Sequence, residues 1–97
     1  MEFPDVSERT CLHIKGKPKS IDYLLKKVDR FCKSRRIVMP ILYEDYLDSD
    51  ELIIGYETRG VNTEDMNKIF DMIDQFNKNR KNRIQWEMLP SWNMKRR

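Results

Sequence analysis

The spacing of apolar side chains along this chain switches from two, to between three and four, back to two through a pair of short runs, to three and four again, and finally to two. That order constrains the fold more than any motif, because period two marks a strand with one buried face and period 3.6 marks a helix with one buried stripe. From Thr10 to Lys15, Leu12 and Ile14 share one side and Cys11, His13 and Lys15 the other, which predicts a first strand. Gly16-Lys17-Pro18-Lys19 reads as a turn, with Ser20 as the cap of a helix. In that helix Ile21, Leu24, Leu25, Val28, Phe31 and Cys32 form one stripe, and Lys33, Arg35 and Arg36 suit the negative end of its dipole.

Ile37 to Tyr43 is the predicted second strand, placed at a sheet edge because Pro40 cannot donate to a ladder. Glu44 to Glu51 reads as a polar acidic connection, and Leu52 to Thr58 as the third strand, where Gly55 marks a bulge or a close approach. Gly60 ends the hairpin. Asn62 or Thr63 caps a second helix with Glu64 and Asp65 in its first turn and Met66, Ile69, Phe70, Ile73 and Phe76 as its stripe. Asn77 to Asn82 breaks that helix. Arg83 to Leu89 then alternates with Ile84, Trp86 and Met88 on one side, closed by Pro90.

The order βαββαβ is that of the ferredoxin-like split-βαβ sandwich, an α+β fold. It predicts an antiparallel sheet in spatial order 4-1-3-2 with two helices on one face, in a single domain over residues 1–90. Residues 91–97 are expected to be a flexible basic tail. The 97 residues, 39% of them apolar, suffice for one modest core. The longest apolar run, Ile37 to Leu42, contains a proline and is far short of the roughly 20 residues that span a bilayer. The acidic, proline-broken start does not resemble a secretory signal, and two cysteines are too few for a disulfide framework. A cytoplasmic protein with free thiols is the expectation.

Charge is sorted along the chain. Residues 1–40 carry a net +5, residues 41–76 a net −8 and residues 77–97 a net +6, so a total of +3 conceals two basic surfaces and an acidic one. In the predicted topology the 15–19 turn, the 44–51 tip and the 78–83 loop share one end of the molecule. Lys15, Lys17 and Lys19 should lie beside Lys78, Arg80, Lys81 and Arg83, with the acidic tip at the opposite edge. Flexible cations of this kind suit phosphate oxygens, so the leading expectation is a small nucleic-acid-binding regulatory protein that grips the backbone, with Trp92, Arg96 and Arg97 as added contacts. Arg35 and Arg36 with Lys95, Arg96 and Arg97 form a second basic group at the other end.

Base-specific RNA modules on this topology stack bases on third-strand aromatics, and here that strand keeps only Gly55-Tyr56 of the pattern. The alternative expectation is a protein-interaction module or inhibitor whose acidic face, Glu44, Asp45, Asp48, Asp50 and Glu51, with Asp71 and Asp74, engages a basic partner protein. The helix-free face, bearing Cys11, His13, Ile53, Leu89, Met39 and Ile41, is read as a homodimer surface, or as one covered by the N-terminal segment through Phe3 and Val6.

Catalysis, a cofactor and a metal are not expected. His13 is the sole histidine, and Asp48-Ser49-Asp50 departs from a calcium loop at its fifth and sixth positions. Glu57-Thr58-Arg59 lacks the lysine of a metal-dependent nuclease. Acylphosphatases share the length and topology but need an arginine in the first loop, which here reads Lys15-Gly-Lys-Pro-Lys-Ser20.

Overall fold

The structure, a computed structural model, describes residues 9–48, 50–78 and 80–90. Its elements run β1 (Cys11–Gly16), α1 (Pro18–Arg35), β2 (Ile41–Asp48), β3 (Glu51–Glu57), α2 (Thr63–Asn77) and β4 (Gln85–Leu89). They form one antiparallel sheet in the order β2-β3-β1-β4, the same order as 4-1-3-2 read from the other edge. The domain is therefore an α+β sandwich of ferredoxin-like topology. Among the described residues, no helix is long and apolar enough to cross a membrane.

The period-two and period-3.6 residues meet in one core. Leu12 and Ile14 of β1 and Ile54 of β3 lie under Ile21, Leu24 and Val28 of α1 and Met66, Ile69, Phe70 and Ile73 of α2, all of them buried. Trp86 completes it from β4, its ring stacked on Phe70 at 4.6 Å and 16°. Of Asn62 and Thr63, Asn62 is the cap of α2, its Oδ1 accepting from the Asp65 N–H at 2.8 Å.

Several boundaries differ from the sequence reading. The first helix begins at Pro18 and not after Ser20, with Lys17 as an N-cap that makes no side-chain bond. Proline suits the first helical position because its missing N–H has no partner there anyway. At the other end Arg36 adopts a left-handed φ of 59°, and the Ile37 N–H returns to the Cys32 carbonyl at 2.8 Å. That exit absorbs residues 37–40, so the second strand starts at Ile41 instead of Ile37. It also runs through Glu44 to Asp48, which the sequence reading placed in a loop. Pairing with β3, from Tyr43 opposite Gly55 to Asp48 opposite Glu51, outweighs the polar composition.

Two assignments to the helix-free face are corrected by the same shift. Met39 packs against the core, and Ile41 stands opposite Tyr56 on the helix side, whereas Cys11, His13, Ile53 and Leu89 do share the open face. The last strand begins at Gln85, two residues later than the alternation suggests, because Ile84 is held by a side chain of α2.

The fold makes a stability prediction. Phe70→Ala removes a fully buried ring from its stack with Trp86 and should cost about 3–5 kcal/mol of unfolding free energy. Urea titration should show a lower midpoint with an unchanged slope, while Asp71→Ala, exposed at the next position, stays within about 0.5 kcal/mol.

Candidate interaction surfaces

The strand connections place the charged blocks. The α2–β4 loop is closed by Asn77, whose Nδ2 donates to the Ile84 carbonyl at 2.9 Å and whose Oδ1 accepts from the Ile84 N–H at 2.8 Å. One side chain thus imitates a strand neighbour and holds the basic loop against the end of β1. Gly16 is buried there because a Cβ would come within 3.2 Å of the Ile84 side chain. Across the sheet the β2–β3 hairpin turns tightly, with the Asp48 carboxylate accepting from the Asp50 N–H at 2.7 Å.

These segments surround one open cleft of about 470 Å³, lined by Lys17, Lys81 and Arg83 on the β1–β4 side and by Asp48, Asp50 and Glu51 on the β2–β3 side. Lys15 lies on β1 opposite Gln85, partly buried, and Lys19 is exposed in the first turn of α1. That turn has no acidic residue of its own to offset the positive end of the helix dipole.

The remaining basic candidates are elsewhere. Arg80 turns to the helix layer, its guanidinium 4.1 Å from the Phe76 ring centre and 5.4 Å from that of Tyr23, which Lys27 also covers at 5.0 Å. Lys78 is exposed at the end of α2 but does not line the cleft. Arg35 is exposed at the end of α1, paired with Asp65 at 3.4 Å and 5.4 Å from the Phe31 ring. Trp92, Lys95, Arg96 and Arg97 lie outside the described residues, as do Phe3 and Val6. Asp71 and Asp74 sit on α2, which packs on β4 at the edge opposite the acidic strand.

The acidic candidates fall on the edge strand and its turn: Glu44, Asp45 and Asp48 on β2, Asp50 in the turn and Glu51 at the start of β3. None of the five has an ion-pair partner among the described residues. Glu44 shares the helix side with Tyr56, whose hydroxyl is pushed up to about 12 by burial and by the nearby charges of Glu44 and Asp29. Beside these carboxylates Ile41, Tyr46 and Leu47 are 53%, 58% and 51% exposed.

The helix-free face carries a cluster centred on a residue the sequence did not single out. The Tyr43 ring lies across Gly55, where a Cβ would stand 2.3 Å from two ring carbons, and its hydroxyl reaches His13 Nδ1 on β1 at 2.5 Å, with the Cys11 Sγ 3.8 Å away. Burial lowers the His13 pKa below 6.5, with Lys15 acting in the same direction and Glu87 against it. Burial also raises the Tyr43 pKa. The neutral ring and the protonated phenol share one hydrogen bond, whose donor is set by the tautomer of the imidazole. Burial raises the Cys11 thiol as well, opposed by the Tyr43 hydrogen bond and reinforced by Glu57, so this buried cysteine stays a thiol of low reactivity. The rest of the face is mixed, with Lys15, Asp45, Glu57, Gln85 and Glu87 around Ile53 and Leu89. The Glu57 carboxylate lies 3.3 Å from Arg59 Nε.

No protein-family model matches this chain, and no curated protein is similar to it in sequence. Among solved structures it is similar to the solution structure of the C-terminal domain of the MgtC protein from Mycobacterium tuberculosis, with a TM-score of 0.47 and 11% identity over 90% of this chain and 95% of that one.

Two predictions test the tyrosine cluster. Gly55→Ala drives the ring off the strand and should cost about 1–3 kcal/mol, measured by urea unfolding. The second concerns pH. Because the folded state binds a proton at His13 less readily than the unfolded chain does, stability is full above pH 6.5 and declines as pH falls through the lower folded value. Thermal melts between pH 7.5 and 5 should show this decline in the wild type, and His13→Gln should flatten it.

Proposed function

We propose that this domain is a protein-interaction module that engages a basic partner through the acidic edge strand β2 and the β2–β3 turn. The observation that carries this reading is the pairing, on one free sheet edge, of unmatched carboxylates at Glu44, Asp45 and Asp48 with the exposed apolar side chains of Ile41, Tyr46 and Leu47. Edge strands normally carry charge and little exposed apolar surface, so this edge is built as if something covers it. A cytoplasmic setting, where two unpaired cysteines persist, belongs to the same reading. So does homodimerisation through the helix-free face, with Ile53 and Leu89 as the apolar contacts.

A second reading is favoured by the basic wall of the cleft. Lys17, Lys81 and Arg83 line it beside the start of α1, with Lys15 on β1 and Lys19 in the first turn of α1 close by in sequence, an arrangement suited to the phosphate backbone of a nucleic acid and hence to a small regulatory nucleic-acid-binding protein. It stands second because Asp48, Asp50 and Glu51 face the same cleft, so a polyanion could run only along its β1–β4 side. Arg80, moreover, is occupied by aromatic rings.

One anisotropy panel separates the two: labelled single-stranded RNA, single-stranded DNA, duplex DNA and a lysine-rich peptide, each at two salt concentrations. The first reading expects salt-sensitive peptide binding that Asp48→Lys, Asp50→Lys and Glu51→Lys abolish and that Lys78→Glu, Arg80→Glu, Lys81→Glu and Arg83→Glu leave intact. Nucleic-acid binding removed by the second set of reversals, with no peptide binding, would replace it with the second reading.

A further inference from the structure

We infer that the free edge of β2 is a strand-addition site, and that its occupant is an extended, lysine- or arginine-bearing segment of another protein and not a second copy of this chain. This rests on the partner-binding reading above and adds to it the way in which the partner is held.

Backbone geometry is the first reason. Among the described residues β2 is the last strand on its side of the sheet, so one set of its N–H and C=O groups points away from β3 with no described strand beyond it. The register with β3 is regular from Tyr43 to Tyr46 and shifts on either side, between Ile41 and Tyr43 and between Tyr46 and Asp48. The open ladder is therefore a short, straight window between two irregularities. Irregularities of this kind discourage long uncontrolled edge pairing while leaving the window usable.

Side chains specify the occupant. A strand laid beside β2 would place its residues alternately next to Glu44, Tyr46 and Ile41 on the helix side and next to Tyr43 and Asp45 on the other. From Ile37 to Thr58 the chain has no lysine, arginine or histidine, so β2 and β3 themselves contribute carboxylate and apolar side chains and no cation to this edge. The complement is an extended segment that alternates cationic with β-branched or aromatic residues.

The same side chains disfavour the symmetric alternative. An antiparallel pair of two β2 strands opposes side chains of the same face, so one centred on Glu44 sets that carboxylate against its own copy, and one centred on Asp45 does the same. Like charges directly opposite on paired strands repel, so the sequence of β2 disfavours its own copy while attracting a basic strand.

The test uses the whole chain, labelled with nitrogen-15, and three amidated peptides of about twelve residues. The first alternates lysine with valine or threonine, the second has the same charge with prolines in its central positions, and the third carries glutamate for lysine. Strand addition expects the first peptide to shift the amides of residues 43–46 and slow their hydrogen exchange. It also expects affinity to fall about tenfold with prolines, which cannot donate to a ladder, and to vanish with glutamates. A Glu44→Lys, Asp45→Lys double variant, exposed and so free to fold normally, should lose about tenfold for the first peptide. Equal binding of the proline peptide would overturn strand addition while leaving an acidic partner surface. No binding of either basic peptide would overturn both. Concentration-dependent shifts at residues 43–46 without peptide would show that a second copy takes the edge.

Discussion

Two-sided pairing of β1 is the constraint on which the rest of the domain depends. This six-residue strand is bonded to β3 on one side and β4 on the other, and its Leu12 and Ile14 form the floor on which the helices stand. Because β1 is central, its two ends fix where both loop clusters go. The Gly16 end gathers the start of α1, the β2–β3 turn and the α2–β4 loop. Segments far apart in sequence and opposite in charge therefore share one cleft as a consequence of strand order, without any attraction between them being needed.

The parts of the fold legible in the sequence are those where one physical effect dominates. The stripe from Ile21 to Cys32 and that from Met66 to Phe76 are periodic over three turns or more, and burial of one face explains them without tertiary information. The alternation of β1 is legible for the same reason. The second strand is not legible from composition because two effects compete there. Ile37 to Leu42 has the composition of a strand, but its first residues finish the helix through the left-handed Arg36. Glu44 to Asp48 has the composition of a loop, yet the partner strand imposes extension.

The candidate surfaces divide along the same line. That the basic and acidic blocks reach one end follows from topology, and topology was readable. Which cations are available there was not, because the diversion of Arg80 to Phe76 and of Arg35 to Asp65 depends on side-chain packing between elements. Gly55 gave a true signal of close approach, but nothing in the spacing says that Tyr43 is what approaches. The Asn77 clamp was hidden for a similar reason: an asparagine at a helix end is common, and its value lies in meeting Ile84 seven residues later.

The tie between Tyr43 and His13 bears on how the edge strand would receive a partner. Tyr43 passes over β3 and fastens to β1, so the middle of β2 is anchored to the centre of the sheet as well as to its neighbour. Edge strands held only by their ladder fray, and a ligand must then supply the order they lack. Here the ordering entropy has already been spent in folding, and an arriving strand meets a template whose shape is set before contact. Such an edge favours fast, shape-selective recognition over the slow mutual folding of two flexible segments.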